Sequence, residues 1–390
     1  METGSLINYM YTWKEYELGE LLRYEQPTAY IVESTDYNDD YRTPVLTAGK
    51  SFIIGYTNET SGIYKSLPVI IFDDFTTSSQ YVNFPFKVKS SAMKILSPNT
   101  ELVLPKFIYY RMQVIQFDHS THKRYWIQQY SKIKVKIPPV PEQERIVSKI
   151  EELFSKLDAS VAELQTAKEK LKVYRQAVLE ESLPYDSFGA ISQYIESMGQ
   201  GWSPKCANKN SIDDDVWAVI KTTAVQHGYF DYTENKILPD NLEPRNQHEI
   251  SVGDILITRA GPRSRCGVCC LVRKTKQRLL NCDKVYQIKP NRDKILPEYM
   301  EYVLNSPRFL LEINHCKTGG NDSGVNLTQS RFLTIKIPVP SLYIQKKIVE
   351  QIESRLSMCD SIEQTVDTSL QQAEALQQSI LKQAFEGRLV

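Results

Sequence analysis

The stretch Ile137-Pro138-Pro139-Val140-Pro141-Glu142-Gln143-Glu144-Arg145-Ile146-Val147 decides the fold. It opens a run free of Gly and Pro that lasts to Leu183, and it returns later in the chain. Ile337-Pro338-Val339-Pro340 opens the second copy, and Gln345-Lys346-Lys347-Ile348-Val349 leads into another uninterrupted run that ends at Gly387. From the glutamine onward the copies register at a constant offset of 202 residues. Gln143 falls on Gln345, Ile146-Val147 on Ile348-Val349, Ile150-Glu151 on Ile352-Glu353, Asp158 on Asp360, Gln176 on Gln378 and Leu179 on Leu381. A register held over that distance is an internal duplication, and it governs how the rest is read.

Both copies read as long helices. Apolar residues fall at Ile146, Ile150, Leu153, Leu157, Val161, Leu164, Leu171 and Val178 in the first. In the second they fall at Ile348, Ile352, Leu356, Cys359, Ile362, Val366, Leu370, Ala373, Ile380 and Ala384. Steps of three and four make a narrow apolar stripe, the pattern of a coiled-coil seam. The prolines ahead of each run suit an extended lead-in followed by a helix start. At 1.5 Å per residue, such a helix spans roughly 60 Å. Two copies of one stripe predict that the helices pair with each other, antiparallel.

The remaining composition sets bounds. The chain has 390 residues, room for two or three domains, and a formal net charge of zero, so a generally basic nucleic-acid binder is not indicated. No run of eighteen apolar residues occurs, and Met1 to Trp13 lacks a basic region followed by an apolar one. With seven cysteines, an odd number, a reducing cytoplasm is the expected setting. Cys266-x-x-Cys269-Cys270 followed by Cys282 invites a zinc test, but the ligand spacing is lopsided and Val268, Leu271 and Val272 read as a buried strand. Small core cysteines are expected there.

Residues 1–136 alternate short Val-, Ile-, Tyr- and Phe-rich runs with Gly, Asn, Asp and Ser. Pro44-Val45-Leu46, Ser51 to Gly55 and Pro68 to Phe72 predict strands, and Lys106 to Met112 predicts a helix. Polar content is concentrated in Asp73 to Gln80, in Lys87 to Lys94 and in His119 to Trp126. Short Ser, Thr, Gln and Lys side chains on loops suit phosphates and base edges as well as they suit solvent. Residues 186–336 repeat the character, with strands predicted at Val216 to Ile220, Asp254 to Thr258 and Val285 to Ile288.

Charge in this second segment is uneven. Arg259 to Lys294 holds eleven Lys or Arg against Asp283 and Asp293. The two helical regions carry twelve basic against sixteen acidic residues over 137–185 and 337–390. A basic stripe on a neutral protein is a local electrostatic footprint of the kind that duplex phosphate selects. Arg259-Ala260-Gly261-Pro262-Arg263-Ser264-Arg265 sets three arginines on a turn, and Arg reads guanine bidentately. Lys317 to Gly324 is a glycine-rich loop with donors, without the spacing of a nucleotide triphosphate site.

No enzyme constellation stands out: there is no Walker A motif, no H-E-x-x-H, no G-x-S-x-G and no amino-methyltransferase tetrapeptide. Pro239-Asp240 with Glu243-Pro244-Arg245 lacks the spacing and terminal Lys of a nuclease signature. Asp213-Asp214-Asp215 reads as a solvated turn before it reads as a cation site. Two classes of function remain: a DNA reader, or a coiled-coil scaffold with two protein-binding heads. Salt-linked DNA affinity separates them.

The chain resembles the specificity subunit of type I restriction-modification systems along essentially its whole length. The paired "IPPVPEQERIV" (137–147) and "IPVPSLYIQKKIV" (337–349) openings and the closing "LQQSILKQAFEGRLV" (376–390) carry the likeness. So do "WAVIKTTAV" (217–225), "SVGDILITRAG" (251–261), "CDKVYQIKPN" (282–291), "YVLNSPRF" (302–309) and "KTGGNDSGVNLTQSRFLTIKIPVP" (317–340). In the first segment, "PVLTAGKSFIIGYTNETSGIY" (44–64) and "PVIIFDDFTTSSQYVNFPFKVKSSAMKI" (68–95) resemble one class of target recognition domain.

The resemblance implies an α+β, pseudo-twofold protein. Target recognition domains at 1–136 and 186–336 would be separated by helical spacers at 137–185 and 337–390. It further implies a non-catalytic reader of double-stranded DNA that binds no cofactor itself. Each domain would read one half-site through the major groove. Two methyltransferase subunits would supply S-adenosylmethionine-dependent adenine-N6 methylation, and restriction subunits would add ATP and Mg. By position in the matching loops, the candidate DNA contacts are Thr76, Thr77, Ser78, Lys87, Lys89, Lys94, His122, Lys123 and Arg124 in the first domain. In the second they are Lys221, Thr222, Arg259, Arg263, Arg265, Lys317, Thr318 and Asn321. Glu142, Arg145 and Lys149 suit either a methyltransferase or solvent. One departure is visible: the first opening is two residues shorter than the second between its Ile-Pro and its Gln, which predicts a locally imperfect twofold.

Overall fold

The computed structural model describes residues 13–49, 51–118, 124–206 and 208–389. The proline-led runs are single helices, Val140–Ser182 and Leu342–Phe385, of 43 and 44 residues. Each starts 202 residues from the other, so the duplication seen in sequence is a duplication of helix phase. Compactness divides the chain into two units. One runs to Leu164 and resumes at Thr368; the other is Gln165–Asp367. Each unit is therefore a globular domain together with part of each long helix.

In the first unit a four-stranded antiparallel sheet runs in the order Leu22–Glu25, Met93–Pro98, Val69–Asp73, Ser79–Val82. A three-stranded sheet places Thr43–Leu46 between an antiparallel neighbour, Ile53–Thr57, and a parallel one, Lys87–Val88. The two strands Lys14–Glu17 and Lys134–Ile137 pair antiparallel and close the domain at the foot of the helix. The predicted strands and the Pro105–Met112 helix are present.

The second unit repeats this plan strand for strand. Its four-stranded sheet is Ile195–Gln200, Val285–Pro290, Ile255–Thr258, Cys269–Leu271, antiparallel throughout. Its three-stranded sheet places Ala218–Ile220 between antiparallel Asn235–Ile237 and parallel Leu279–Leu280. Phe188–Ala190 pairs with Lys336–Pro338 at the foot of the second helix. Little of this second level of duplication shows in the residues; it lies in the topology.

The helices pack antiparallel within each unit. In the first, Ile146 and Ile150 share one core with Ile380, Leu381 and Ala384, and with Phe107 and Ile108 of the domain. In the second, Val178 and Leu179 pack on Ile352. Rim charges follow the same register: Lys168 reaches Asp367 at 2.7 Å, and Arg175 reaches Asp360 at 2.7 Å and Glu363 at 2.9 Å. The first helix's stripe is thus buried at its two ends and half-buried from Leu153 to Leu171, Ile362 of the second stripe is exposed, and ion pairs flank the seam as in a coiled coil. No helix among the described residues is long and apolar enough to cross a membrane.

Cys266, Cys269, Cys270 and Cys282 are core residues. Along the Cys269–Leu271 strand, successive side chains face opposite sides, which sends Cys269 into one core with Cys266 and Cys270 into another with Cys282. Burial pushes the Cys270 thiol up to about 12 and the Cys282 thiol to about 11. The four sulfurs of the zinc test therefore do not converge.

Candidate nucleic-acid interface

The sheets position the loops. In the first unit, the hairpin joining Val69–Asp73 to Ser79–Val82 carries Thr76, Thr77 and Ser78 at its tip. Asp73 builds that tip: its Oδ1 accepts the Phe75 and Thr76 amides at 2.8 and 3.1 Å, and its carbonyl accepts the Thr77 amide at 2.9 Å. Thr77 is held at φ +55°, an uncommon conformation for a β-branched residue. The Thr76 hydroxyl donates to Ser78 Oγ at 3.1 Å.

The next residue joins this tip to two more segments. Asp74 is buried. Its amide donates to the Ala92 carbonyl at 3.1 Å, its carbonyl accepts the Tyr125 amide at 3.0 Å, and its Oδ1 accepts the Trp126 amide at 2.8 Å. Asp74 thus gathers the Thr76–Ser78 tip, the Lys89–Ser91 bend and the segment entered through Arg124. Lys89 and Arg124 are exposed beside it. His122 and Lys123 lie outside the described residues.

Two lysines of the candidate set are corrected by the structure. Lys94 is 1 % exposed, pairs with Asp74 at 3.5 Å and donates to Gln26 Oε1 at 2.7 Å and the Ser91 carbonyl at 3.1 Å. Burial lowers its pKa, with Asp74 opposing and Arg124 adding to the fall. Lys87 is 2 % exposed, pairs with Glu59 at 2.6 Å and donates to the Ser61 carbonyl at 2.9 Å. These ammonium groups hold loops together from inside and present no surface to a phosphate.

In the second unit, the equivalent hairpin joins Ile255–Thr258 to Cys269–Leu271 and carries the three arginines. A ribbon of Ala260–Gly261, Val325–Leu327 and Lys317–Thr318 ties it to the glycine-rich loop. Arg263 Nε meets Asp322 Oδ1 at 2.7 Å, and Lys317 Nζ donates to the Arg263 carbonyl at 3.3 Å. Gly319 closes that loop at φ +135°, where a Cβ would sit 2.5 Å from the Gly324 carbonyl oxygen. Thr318 and Asn321 are exposed on it.

Arg265 ties in a third loop. Its Nη1 donates to Gln226 Oε1 at 2.9 Å, and its Nη2 to the carbonyls of Thr222 at 3.0 Å and Val225 at 2.7 Å. Three of its five N–H groups are so engaged, so Arg265 braces the Thr222–Gln226 loop. Lys221 itself stands 3.5 Å from the Glu234 carboxylate. Arg259 donates from Nη1 to the Asp283 carbonyl at 2.9 Å and lies over the Tyr286 ring at 5.4 Å. Its Nε is buried with no hydrogen-bond partner.

All eight second-domain candidates therefore fall on three adjoining loops. The long basic run does not form one face, however. Arg273 turns inward to the buried Glu301, Lys276 is buried among backbone carbonyls and Arg278 returns to Asp215. What remains near the tip is Arg259, Arg263 and exposed Lys284, whose carbonyl accepts the Arg259 amide at 2.8 Å. Lys284 belongs to the basic run, and strand pairing places it beside Arg259 without any local sequence signal. Asp213-Asp214-Asp215 is a turn, with Asp214 Oδ1 accepting the Gln277 amide at 2.8 Å.

Comparison with known proteins places the plan. The profile of the type I restriction modification DNA specificity domain matches residues 10–169 and again residues 201–372. The chain is 33 % identical over 370 residues to the EcoR124I/EcoR124II specificity subunit of Escherichia coli, covering 88 % of this chain and 87 % of that protein. It is 28 % identical over 279 residues to the EcoKI specificity subunit of Escherichia coli strain K12, covering 66 % and 58 %. Among solved structures it is similar to a chain from work on assembly and conformational transition of the type I R-M system, with TM-score 0.70 at 16 % identity over 97 % of this chain and 98 % of that one. The HsdS subunit of Thermoanaerobacter tengcongensis gives TM-score 0.51 at 16 % identity, covering 97 % of each chain.

Proposed function

The chain belongs to the type I restriction-modification DNA specificity family, and on that premise we propose that its two domains read the two halves of an asymmetric, bipartite DNA target. One observation carries the reading. The same hairpin of the same four-stranded sheet carries Thr76-Thr77-Ser78 in one domain and Arg259 to Arg265 in the other. A scaffold duplicated with different chemistry at equivalent tips is what two unlike half-sites demand.

The division of labour follows from the side chains. Exposed hydroxyls and amides at the tips, with Arg259 and Arg263, suit base edges. Lys89, Arg124, Lys284 and Lys317 suit phosphates, which fix register without reading sequence. Asp74 and Arg265 hold the loops for both. A 43-residue helix is about 65 Å long at 1.5 Å per residue, nearly two turns of B-DNA at about 34 Å each, so the helix pair is long enough to act as a ruler between half-sites.

The chain itself does no chemistry in this proposal. Two methyltransferase subunits, which hold S-adenosylmethionine, dock on the helical regions and modify adenine N6. Restriction subunits add ATP- and Mg-dependent cleavage. Purified complex titrated with random and target duplexes tests the proposal. Sequence-dependent binding that weakens steeply with salt supports it; salt-insensitive, sequence-blind binding points to protein-binding heads.

A further inference from the structure

Near its start, each long helix is bonded by one glutamine to the loop that enters a domain helix, and the two glutamines make the same three hydrogen bonds. Gln143 is fully buried. Its Nε2 donates to the carbonyls of Leu102 at 3.0 Å and Pro138 at 2.9 Å, and its Oε1 accepts the Leu104 amide at 2.8 Å. Gln345, equally buried, donates to the carbonyls of Lys294 at 3.0 Å and Pro340 at 2.8 Å, and accepts the Leu296 amide at 2.9 Å. Leu104 and Leu296 are the residues that cap the short domain helices Pro105–Met112 and Pro297–Asn305.

Each side chain thus joins three segments: the proline lead-in five residues back, the first turn of the long helix, and the loop that enters a domain helix. A primary amide offers two N–H donors and one acceptor oxygen, and all three are used here. Glutamate has no donors when ionised, asparagine is one methylene short, and methionine fills the volume without bonding. The chemistry therefore selects glutamine twice. The two-residue difference between the lead-ins does not disturb it. That difference is absorbed between the closing strand and Pro340, and the clamps agree within 0.1 Å. The local asymmetry expected from the sequence does not reach the helix starts.

Elsewhere at this joint, Lys106 and Glu151 form a half-exposed, solvent-screened ion pair, and Ile146 and Ile150 share an apolar core with Phe107 and Ile108. Such packing is non-directional and tolerates rotation, whereas hydrogen bonds fix an angle. We infer that Gln143 and Gln345 are positioning residues that set the angle at which each recognition domain leaves its helix, and thereby set how strictly the target's spacer length is enforced. A swing of about 10° at about 20 Å from the joint displaces a reading loop by roughly 3.5 Å, one base-pair step. The inference rests on the DNA-reading proposal above.

The test uses the full chain assembled with its methyltransferase subunits. Duplexes carry the mapped half-sites with the native spacer or with one base pair added or removed. The readout is the ratio of methylation rate at the native spacer to that at its neighbours. Gln143→Met and Gln345→Met should each lower this ratio at least fivefold while the methylated half-site sequences stay the same. Ile150→Val, at a fully buried site on the same helix, is the stability control and should leave the ratio unchanged. If a Met variant does not assemble, Gln143→Glu, which keeps the acceptor for Leu104, replaces it. Rates that fall in proportion on all three duplexes would overturn the inference, leaving the glutamines a purely structural role. A wild-type complex with no spacer preference would overturn the reading beneath it as well.

Discussion

Replacing Lys94 by Met should unseat the first reading loop, and the cost can be worked from its partners. The ammonium is interior, bonded to Gln26 and Ser91 and paired with Asp74 at 3.5 Å. Methionine is one heavy atom shorter and vacates little beyond the ammonium itself, so the loss is chiefly electrostatic. It leaves the Asp74 carboxylate buried with the Trp126 amide bond but no counter-charge. Breaking a buried pair from one side costs about 3–5 kcal/mol, because the remaining charge is uncompensated. Asp74→Asn in the same background removes that charge and keeps an oxygen for the Trp126 amide. The double variant should therefore return to within about 1 kcal/mol of wild type. Local stability is read by hydrogen exchange at the Tyr125 and Trp126 amides, since a chain of two compact units does not yield one unfolding free energy. The sign with pH also follows. Burial lowers the Lys94 pKa below its usual 10.5. Between the lowered value and 10.5 the unfolded chain holds a proton that the folded chain has released, so the stability of wild type relative to Lys94→Met rises with pH across that window. A Lys94→Met cost below about 1 kcal/mol, or a double variant worse than the single, would show that the buried pair does not hold the loop.

Other perturbations separate bracing from contact. Arg265→Ala should loosen the Thr222–Gln226 loop by about 2 kcal/mol and weaken DNA binding without changing its salt dependence, whereas Lys89→Ala and Lys284→Ala should each lower the salt slope by about 1, as measured by titration across salt concentrations. Asp254 is buried, accepts the Ser251 amide and Gln287 Nε2, and has its pKa raised chiefly by burial. Above 3.8 the folded carboxyl keeps a proton that the unfolded chain has lost, so the advantage of wild type over Asp254→Asn should shrink as pH rises through that window, measured by hydrogen exchange between about pH 4 and 7. Lengthening the helix pair by four residues should move a reader by about 6 Å, nearly two base pairs, so methylation mapping should show a longer spacer between unchanged half-sites.

The helices were legible because their information is local: a proline-led start, a Gly-free run and a stripe of steps three and four, given twice. The domain strands were legible for the same reason, since Val69 to Asp73 and Ile255 to Thr258 are short apolar runs between turn residues. What was not legible depends on pairing. Lys94 sits in a loop-like string of Lys and Ser, yet antiparallel register sets it opposite Phe72 inside the sheet. Lys87 pairs in register with Val45 on an edge strand, yet its ammonium is buried against Glu59. Arg265 looks like Arg263 in sequence, but only one of them folds back onto three neighbouring acceptors. The shared plan of the two domains was hidden because strand order constrains side chains loosely, while the buried glutamine amide, with every bonding group engaged, shows in both copies.

Two unlike half-sites should be visible directly in a genome-wide map of N6-methyladenine from cells expressing this chain with its cognate methyltransferase. The expected map shows one asymmetric motif, two unlike half-sites across a fixed unspecified spacer, lost when this chain is omitted. Methylation that is absent from a properly assembled complex, or that follows a single undivided motif, would contradict it.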